Sequence, residues 1–304
     1  MNIFITGATG YIGGSVGRHL AAAGHTIRGL ARDASRSAAL RAIGIEPVIG
    51  TLDDSALLKS EAARADAVVN CASSDHRPAI EALIDGLGSE GKILLHTSGS
   101  SQVGDAVAGN VLAAQVFDED TPLVVGAEKW ARYELDQRIL AAPGMRGIVV
   151  CNTLIYGHGT GLQPDSVQIP ALVAQARESG VLRLVGRGVN RWATVHIEDV
   201  CALYQLVLEQ PDTQGFYFAE NGESSYADMG KAIARRMGIA RIEHLSEEDA
   251  IALWGLNKAR YSLGSNSRVQ ALRARRELGW QPRHASAVDW IEHEMRLPQP
   301  IAAG

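Results

Sequence analysis

Short apolar runs recur through the first half of the chain, at 2–6, 26–31, 46–49, 67–71, 92–97 and 146–151. Between them apolar positions repeat every three or four residues, which predicts helices near 13–23, 35–43, 54–64, 77–88 and 122–142. Strand–helix alternation of this kind belongs to a parallel sheet covered on both faces. Local signals agree with these boundaries. Ser35 and Asp54 stand where N-caps belong, and Gly24 and Gly44 where a chain leaves a helix.

Beyond residue 155 the alternation loosens. Helical periods appear near 167–179, 198–209, 225–237, 247–254, 268–278 and 286–295, with short strands near 181–185, 193–196 and 215–219. The expected architecture is a doubly wound α/β domain over 1–155 and a smaller α/β lobe over 156–304, part of which, about 190–220, returns to the first core. No internal repeat or low-complexity segment interrupts it.

Composition narrows the class. With 304 residues, 46% hydrophobic and 21% charged, the chain can bury a large core without disulfides. The net charge is 29 − 34 = −5 with no block of like charges, so nucleic acid is not an expected partner. Cys71, Cys151 and Cys201 are far apart in apolar surroundings, which reads as reduced thiols, and no metal site is expected. The N-terminal apolar run stops at Thr6-Gly7, too short for a signal peptide, and no stretch approaches the ~18 apolar residues of a membrane span. A cytoplasmic protein, free of the membrane, is expected.

The strongest chemical signal is Thr6-Gly7-Ala8-Thr9-Gly10-Tyr11-Ile12-Gly13, a GxxGxxG turn after a strand and before an apolar helix. Such a turn needs Gly7 for the tight bend, Gly10 for approach of a pyrophosphate to the backbone and Gly13 for packing of helix on strand. Thr9, Tyr11 and Ile12 complete the loop, and the helix N-terminus faces the phosphates. This context points to a dinucleotide. At the end of the second strand an acid would grip the ribose of NAD, whereas Arg accommodates a 2′-phosphate. Arg32 stands there, with Arg36 close by, so NADP is favoured; Asp33 keeps NAD open. Thr51 and Leu52 after the third strand, and Cys71, Ala72 and Ser73 after the fourth, are expected to line the same crevice.

The opening TGATGYIGG, Asn70-Cys71-Ala72-Ser73, the HTSGSSQVG stretch at 96–104, Leu154-Ile155-Tyr156-Gly157-His158-Gly159 and Trp192 to Val200 together resemble the extended or atypical short-chain dehydrogenase/reductase superfamily. More narrowly, they resemble its NAD-dependent epimerase/dehydratase group. The resemblance covers nearly the whole chain. It implies a Rossmann lobe, a C-terminal substrate lobe and a nicotinamide cofactor. In that family a Tyr, activated by a Lys four residues later on the same helical face, exchanges a proton with the substrate, helped by a Ser or Thr after strand five. This chain departs from the pattern, because residues 15, 137, 160, 208, 221, 230 and 265, four beyond its seven Tyr, include no Lys. On the fifth helix, Arg132 or Trp130 falls at the Lys position and Glu128 or Gly126 at the Tyr position.

The proton is therefore expected from the loop side. Ser98 and Ser100 follow strand five, and Tyr156 and His158 sit in the crossover after strand six. Asn152 and Thr153 are expected to hold the carboxamide or ribose, and Gln168, Pro170 and Trp192 to wall the substrate lobe. Lys129, Arg132 and Tyr133 read as a solvated or oligomer-contact stripe, the alternatives being a reversed Lys129–Tyr133 pair and contact of Arg132 with ribose or substrate. His196 reads as a core residue, with Glu198 or Asp199 capping the next helix. The leading expectation is an NAD(P)-dependent oxidoreductase acting on a carbonyl or hydroxyl of a small molecule, with a second copy of itself in a homodimer as the expected partner. The alternatives are an NADP-binding redox sensor without turnover and a nucleotide-sugar epimerase or dehydratase.

Overall fold

In β1 (Asn2–Thr6), Ile3 and Ile5 enter one apolar core and Phe4 another, the period-2 alternation of a strand buried on both faces. The computed structural model describes residues 1–297; the end of the expected second lobe, 298–304, lies outside them. Strands β2 (Thr26–Ala31), β3 (Ile45–Ile49), β4 (Ala67–Asn70), β5 (Ile93–Gly99) and β6 (Arg146–Asn152) join β1 in one parallel sheet. After the short β7 (Leu154–Tyr156), β8 (Leu182–Val185) and β9 (Arg191–His196), the chain returns as β10 (Gly215–Ala219) beside β6. The sheet order is β10-β6-β5-β4-β1-β2-β3, a doubly wound Rossmann-type α/β fold.

Helices α1 (Tyr11–Ala22), α2 (Ser37–Ala42), α3 (Ser55–Arg64), α4 (Arg77–Leu87) and α5 (Trp130–Leu140) cover the sheet. Val16 and Leu20 of α1 and Leu40 of α2 pack with Ile3 and Ile5, while Leu58 of α3, Ile80 and Leu83 of α4 and Leu135 and Ile139 of α5 pack with Phe4. The first of these layers is completed from far along the chain by Val200, Leu203 and Val207 of a helix, Ile197–Glu209, that follows α6 (Gln168–Ser179) as α7. Residues 271–280 pack there too, a second return that the sequence pattern did not suggest.

The remaining core lies around α6, β8, α8 (Tyr226–Met237), α9 (Glu247–Trp254) and, after α10 (Leu256–Lys258) and α11 (Leu272–Leu278), α12 (Ala287–His293). Two small sheets serve this lobe. One has the order β11-β9-β7, with β11 at Glu223–Ser225, and the other pairs β8 with β12 (Ile242–Leu245). Strands β7, β11 and β12 have three or four residues each, too short to show a period in the sequence.

Some expected boundaries move. The helix expected over 122–142 begins only at Trp130, after a 3-10 turn at Ala127–Lys129, because Pro122, the β-branched Val124 and Val125, and Gly126 all disfavour a helix. Ser35 is not an N-cap: the Asp33 side chain accepts from its amide and caps a 3-10 turn before α2. Asp54 does cap α3, and Gly24 and Gly44 have φ of +92° and +83°. His196, not Glu198 or Asp199, caps α7. Among the described residues no helix is long and apolar enough to cross a membrane.

Candidate functional site

The carboxyl ends of β1, β4, β5 and β6 open into a crevice made of two cavities that share Cys71 and Ala72. The first, about 480 Å³, is bounded by Gly7, Thr9, Gly10, Leu30, Arg32, Thr51 and Leu52. The three motif glycines have different reasons for being there. Gly7 has φ +72°, and a Cβ on it would lie 2.8 Å from the Cys71 backbone. A Cβ on Gly13 would lie 2.3 Å from the Gly7 carbonyl oxygen, so this glycine lets α1 touch the turn. Gly10 meets only the Gly7 carbonyl, at 3.2 Å, and otherwise faces the cavity. No side chain caps α1, whereas Asp54 and His76 cap α3 and α4. The amides of its first turn are thus left for an anion.

Arg32 lines this cavity, is exposed, and makes no ion pair among the described residues. The neighbouring Asp33 is turned away by its hydrogen bond from the Ser35 amide, 2.8 Å, which also holds its carboxyl below the usual range. Arg36 is exposed and lies outside the cavity lining.

The second cavity, about 520 Å³, runs from Tyr11, Ile12 and Ser73 past Ser98, Ser100, Asn152 and Thr153 to Gln168, Trp192 and Tyr261 of the C-terminal lobe. The Tyr11 hydroxyl donates to the carbonyls of Tyr156 and Gly157, tying the glycine turn to the crossover. Asn152 donates to the Tyr204 hydroxyl, which is 2.9 Å from Thr97 Oγ1; Thr97 in turn donates to Cys71 Sγ. Burial pushes the Cys71 thiol up to about 12, so it is no nucleophile. Thr153 Oγ1 is occupied by the Ala219 carbonyl, 2.8 Å away. Asn152 Oδ1 is buried and has no partner among the described residues.

Behind this wall lies a buried polar network. Ser98 donates to Asp136 Oδ2, 2.7 Å, and the Gln102 amide donates to both. Asp136 Oδ1 faces His96 Nε2 at 3.5 Å. The Asn70 amide nitrogen is 2.9 Å from His96 Nδ1 and donates to it, which leaves the imidazole proton on Nε2. Despite the short separation, burial shifts both groups toward their neutral forms: Asp136 is pushed up to about 6 and His96 down to about 4. Ser100 is equally buried, and its hydroxyl accepts from Ser267.

Two expectations are corrected here. Tyr156 is not in the crevice: its ring is buried against Trp290 and its hydroxyl donates to the His284 carbonyl, 2.9 Å. His158 lies outside the crevice too, near Trp290 and the backbone of Glu294 and Arg296. The short strand β7 turns this segment into the second lobe, and a loop reading could not show that turn. Conversely, Lys129 and Arg132, read as a solvated stripe, line the crevice, whereas Tyr133 does not and packs at a tilt against Trp130. Arg132 grips Asp75 through two bonds, at 2.8 and 2.6 Å. The Lys129 ammonium sits 5.1 Å from the Tyr261 ring centroid, and desolvation lowers its pKa. The sequence reading missed Asp75, His96, Gln102 and Asp136 because nothing local marks a polar residue as buried. Asp75 and Gln102 had only their proximity to strand ends as a signal, while His96 lies within β5 and Asp136 in the middle of α5. Gln168 and Trp192 line the cavity as expected, and Pro170 does not.

Residues 3–217 match the family model described as the NAD dependent epimerase/dehydratase family. The chain is 30% identical to an oxidase of Acremonium sp, over 92% of each chain. It is 28% identical to a 3-diazoavenalumate denitrifying reductase of Streptomyces sp, over 97% of this chain and 100% of that one. Its fold is similar to that of dTDP-glucose 4,6-dehydratase from Bacillus anthracis, solved in complex with NAD, with a TM-score of 0.73, 20% identity and 97% of both chains covered.

Proposed function

The chain belongs to the NAD dependent epimerase/dehydratase family, and on that premise we propose that it is an NADP(H)-dependent oxidoreductase acting on a carbonyl or hydroxyl of a small molecule. The crevice suits a dinucleotide: Gly10 leaves room against the backbone, the first turn of α1 is uncapped, and Asn152 Oδ1 is a buried acceptor without a partner among the described residues. Gly7, Thr9, Gly10, Tyr11, Ile12 and Gly13 would hold the pyrophosphate, and Thr51, Leu52, Cys71, Ala72 and Ser73 would line its path. Asn152 and Thr153 would border the nicotinamide end. When bound, the nicotinamide supplies or accepts the hydride.

The observation that carries this reading is the pair of joined cavities, with an unpaired Arg32 at one end and a wall of Ser98, Lys129 and Arg132 at the other. Arg32 would receive the 2′-phosphate, and Asp33, occupied in its own turn, would not grip the ribose. The oxidase and reductase relatives support a redox reaction over a sugar epimerisation, which leans on the Tyr–Lys pair that this chain lacks.

The test is calorimetric titration with NADPH and NADH, followed by NADPH consumption with a carbonyl panel. NADPH is expected to bind at least roughly tenfold more tightly, about 1.4 kcal/mol, and Arg32→Ala to abolish the difference. Equal affinities would refute the NADP assignment. Tight binding with no consumption of NADPH by any carbonyl would favour a redox sensor.

A further inference from the structure

The proposed reaction needs a proton at the substrate oxygen, and the usual Tyr–Lys pair is missing. We infer that the Asp136 carboxyl is the proton store of the site, delivering through the Ser98 hydroxyl, which lines the crevice. The inference rests on the oxidoreductase reading and adds to it the residue that replaces the missing pair.

The geometry confines the Ser98 proton to two positions. Gln102 Nε2, 2.8 Å away, can only donate to Ser98 Oγ. When Asp136 is ionised, the carboxylate 2.7 Å away holds the Ser98 proton and the crevice is offered none. When Asp136 is protonated, its carboxyl donates to Ser98 Oγ and the hydroxyl proton turns to the crevice. Delivery needs the acid proton on Oδ2, the oxygen 2.7 Å from Ser98 Oγ. His96, whose Nδ1 accepts from Asn70, leaves its Nε2–H 3.5 Å from Asp136 Oδ1 without a hydrogen bond to it, and neither atom has another partner among the described residues.

In the reducing direction a bound reduced nicotinamide would supply the hydride to the carbonyl carbon, and the π electrons would pass to the substrate oxygen, which then needs one proton. The substrate oxygen then takes the Ser98 proton, and Ser98 regains one from Asp136 Oδ2, leaving a carboxylate. Oxidation runs the same transfers backwards.

The groups acting on Asp136 are Ser98 and His96 of β5, Gln102 in the turn after β5, Cys151 of β6, Arg132 of its own helix and Asp75 after β4, whose charge raises the carboxyl further. Arg132 is engaged by Asp75, and the buried Cys151 stays a thiol. Burial outweighs the hydrogen bonds and Arg132, and places Asp136 at about 6, where a carboxyl can both give and take a proton near neutral pH.

The first test needs neither cofactor nor substrate. Full-length, cofactor-free protein labelled with 13C at aspartate carboxyls is titrated by NMR, and Asp136→Asn assigns the resonance. Asp136 is expected to titrate near 6, and Ser98→Ala, which removes a donor to the carboxylate, to raise it further. Titration with the ordinary surface carboxylates, or no response to Ser98→Ala, would overturn the inference.

The second test follows kcat against pH with a carbonyl from the panel. NADPH oxidation is expected to fall, and the reverse reaction to rise, as pH passes about 6. Asp136→Asn should flatten both limbs and lower kcat by ~10²–10⁴ without changing the KM for the dinucleotide. A wild-type profile flat through that range would overturn the relay. If no carbonyl is reduced, the oxidoreductase reading falls, and the NMR titration still decides whether Asp136 and Ser98 are coupled as described.

Discussion

Gly10 and Gly13 look alike in the motif, yet the structure asks different things of them. A side chain on Gly13 would drive its Cβ to 2.3 Å from the Gly7 oxygen, whereas one on Gly10 needs a shift of a few tenths of an ångström and then points into the cavity. Gly13→Ala is therefore expected to lower Tm, by an amount typical of overpacking, about 1–3 kcal/mol. Gly10→Val, in extended backbone that any residue adopts, should keep Tm within a few degrees and lose dinucleotide binding in calorimetry. Retained binding in Gly10→Val would place the nucleotide elsewhere. This turn was legible because its glycines act through backbone geometry that depends on neighbours in sequence. Tyr156 and His158 were not, since an aromatic after a strand end has the same local signature whether it faces a crevice or a second core.

At the scale of elements, α5 is the part of the site whose orientation the sequence concealed. Only Leu135, Asp136 and Ile139 of this helix are buried, and a buried Asp is indistinguishable in sequence from a solvated one. The helix is held over the crevice by polar contacts: Arg132 with Asp75, Arg138 with Glu81, and Asp136 with Ser98. The Arg132–Asp75 bridge joins α5 to the loop after β4. Asp75 is 58% exposed, so solvent screening limits the bridge to about 1 kcal/mol. Arg132→Ala is expected to lower Tm by roughly 2–4 °C. Arg132→Lys should recover little of it, because an ammonium cannot form the two parallel bonds that a guanidinium makes. Full recovery in a thermal melt would show that charge alone matters there.

For the molecule as a whole, His96 and Asp136 bear on stability in opposite directions. Asp136 holds its proton to about 6 when folded against an ordinary 3.8, so its contribution is complete below pH 3.8 and is lost as pH rises to 6. His96 is neutral down to about 4 against an ordinary 6.5, so its contribution is complete above pH 6.5 and is lost as pH falls to 4. Between pH 4 and 6 the two trends offset each other. Asp136→Asn leaves the His96 trend alone. Urea unfolding at pH 6.5 and 4.5 should then show a steeper acid loss in the variant than in the wild type; equal slopes would show that Asp136 ionises like a surface carboxylate. By itself the sequence determined the parallel sheet, the helices between its strands and the glycine turn, because period, caps and glycine conformation are set by residues adjacent in the chain. Only the tertiary structure decided that Lys129, Arg132 and Asp136 face the crevice, that Tyr156 and His158 leave it, and that residues 271–280 return to the first core. Each of these depends on which surfaces a residue meets across long stretches of chain, and burial of a polar group is fixed by those surfaces.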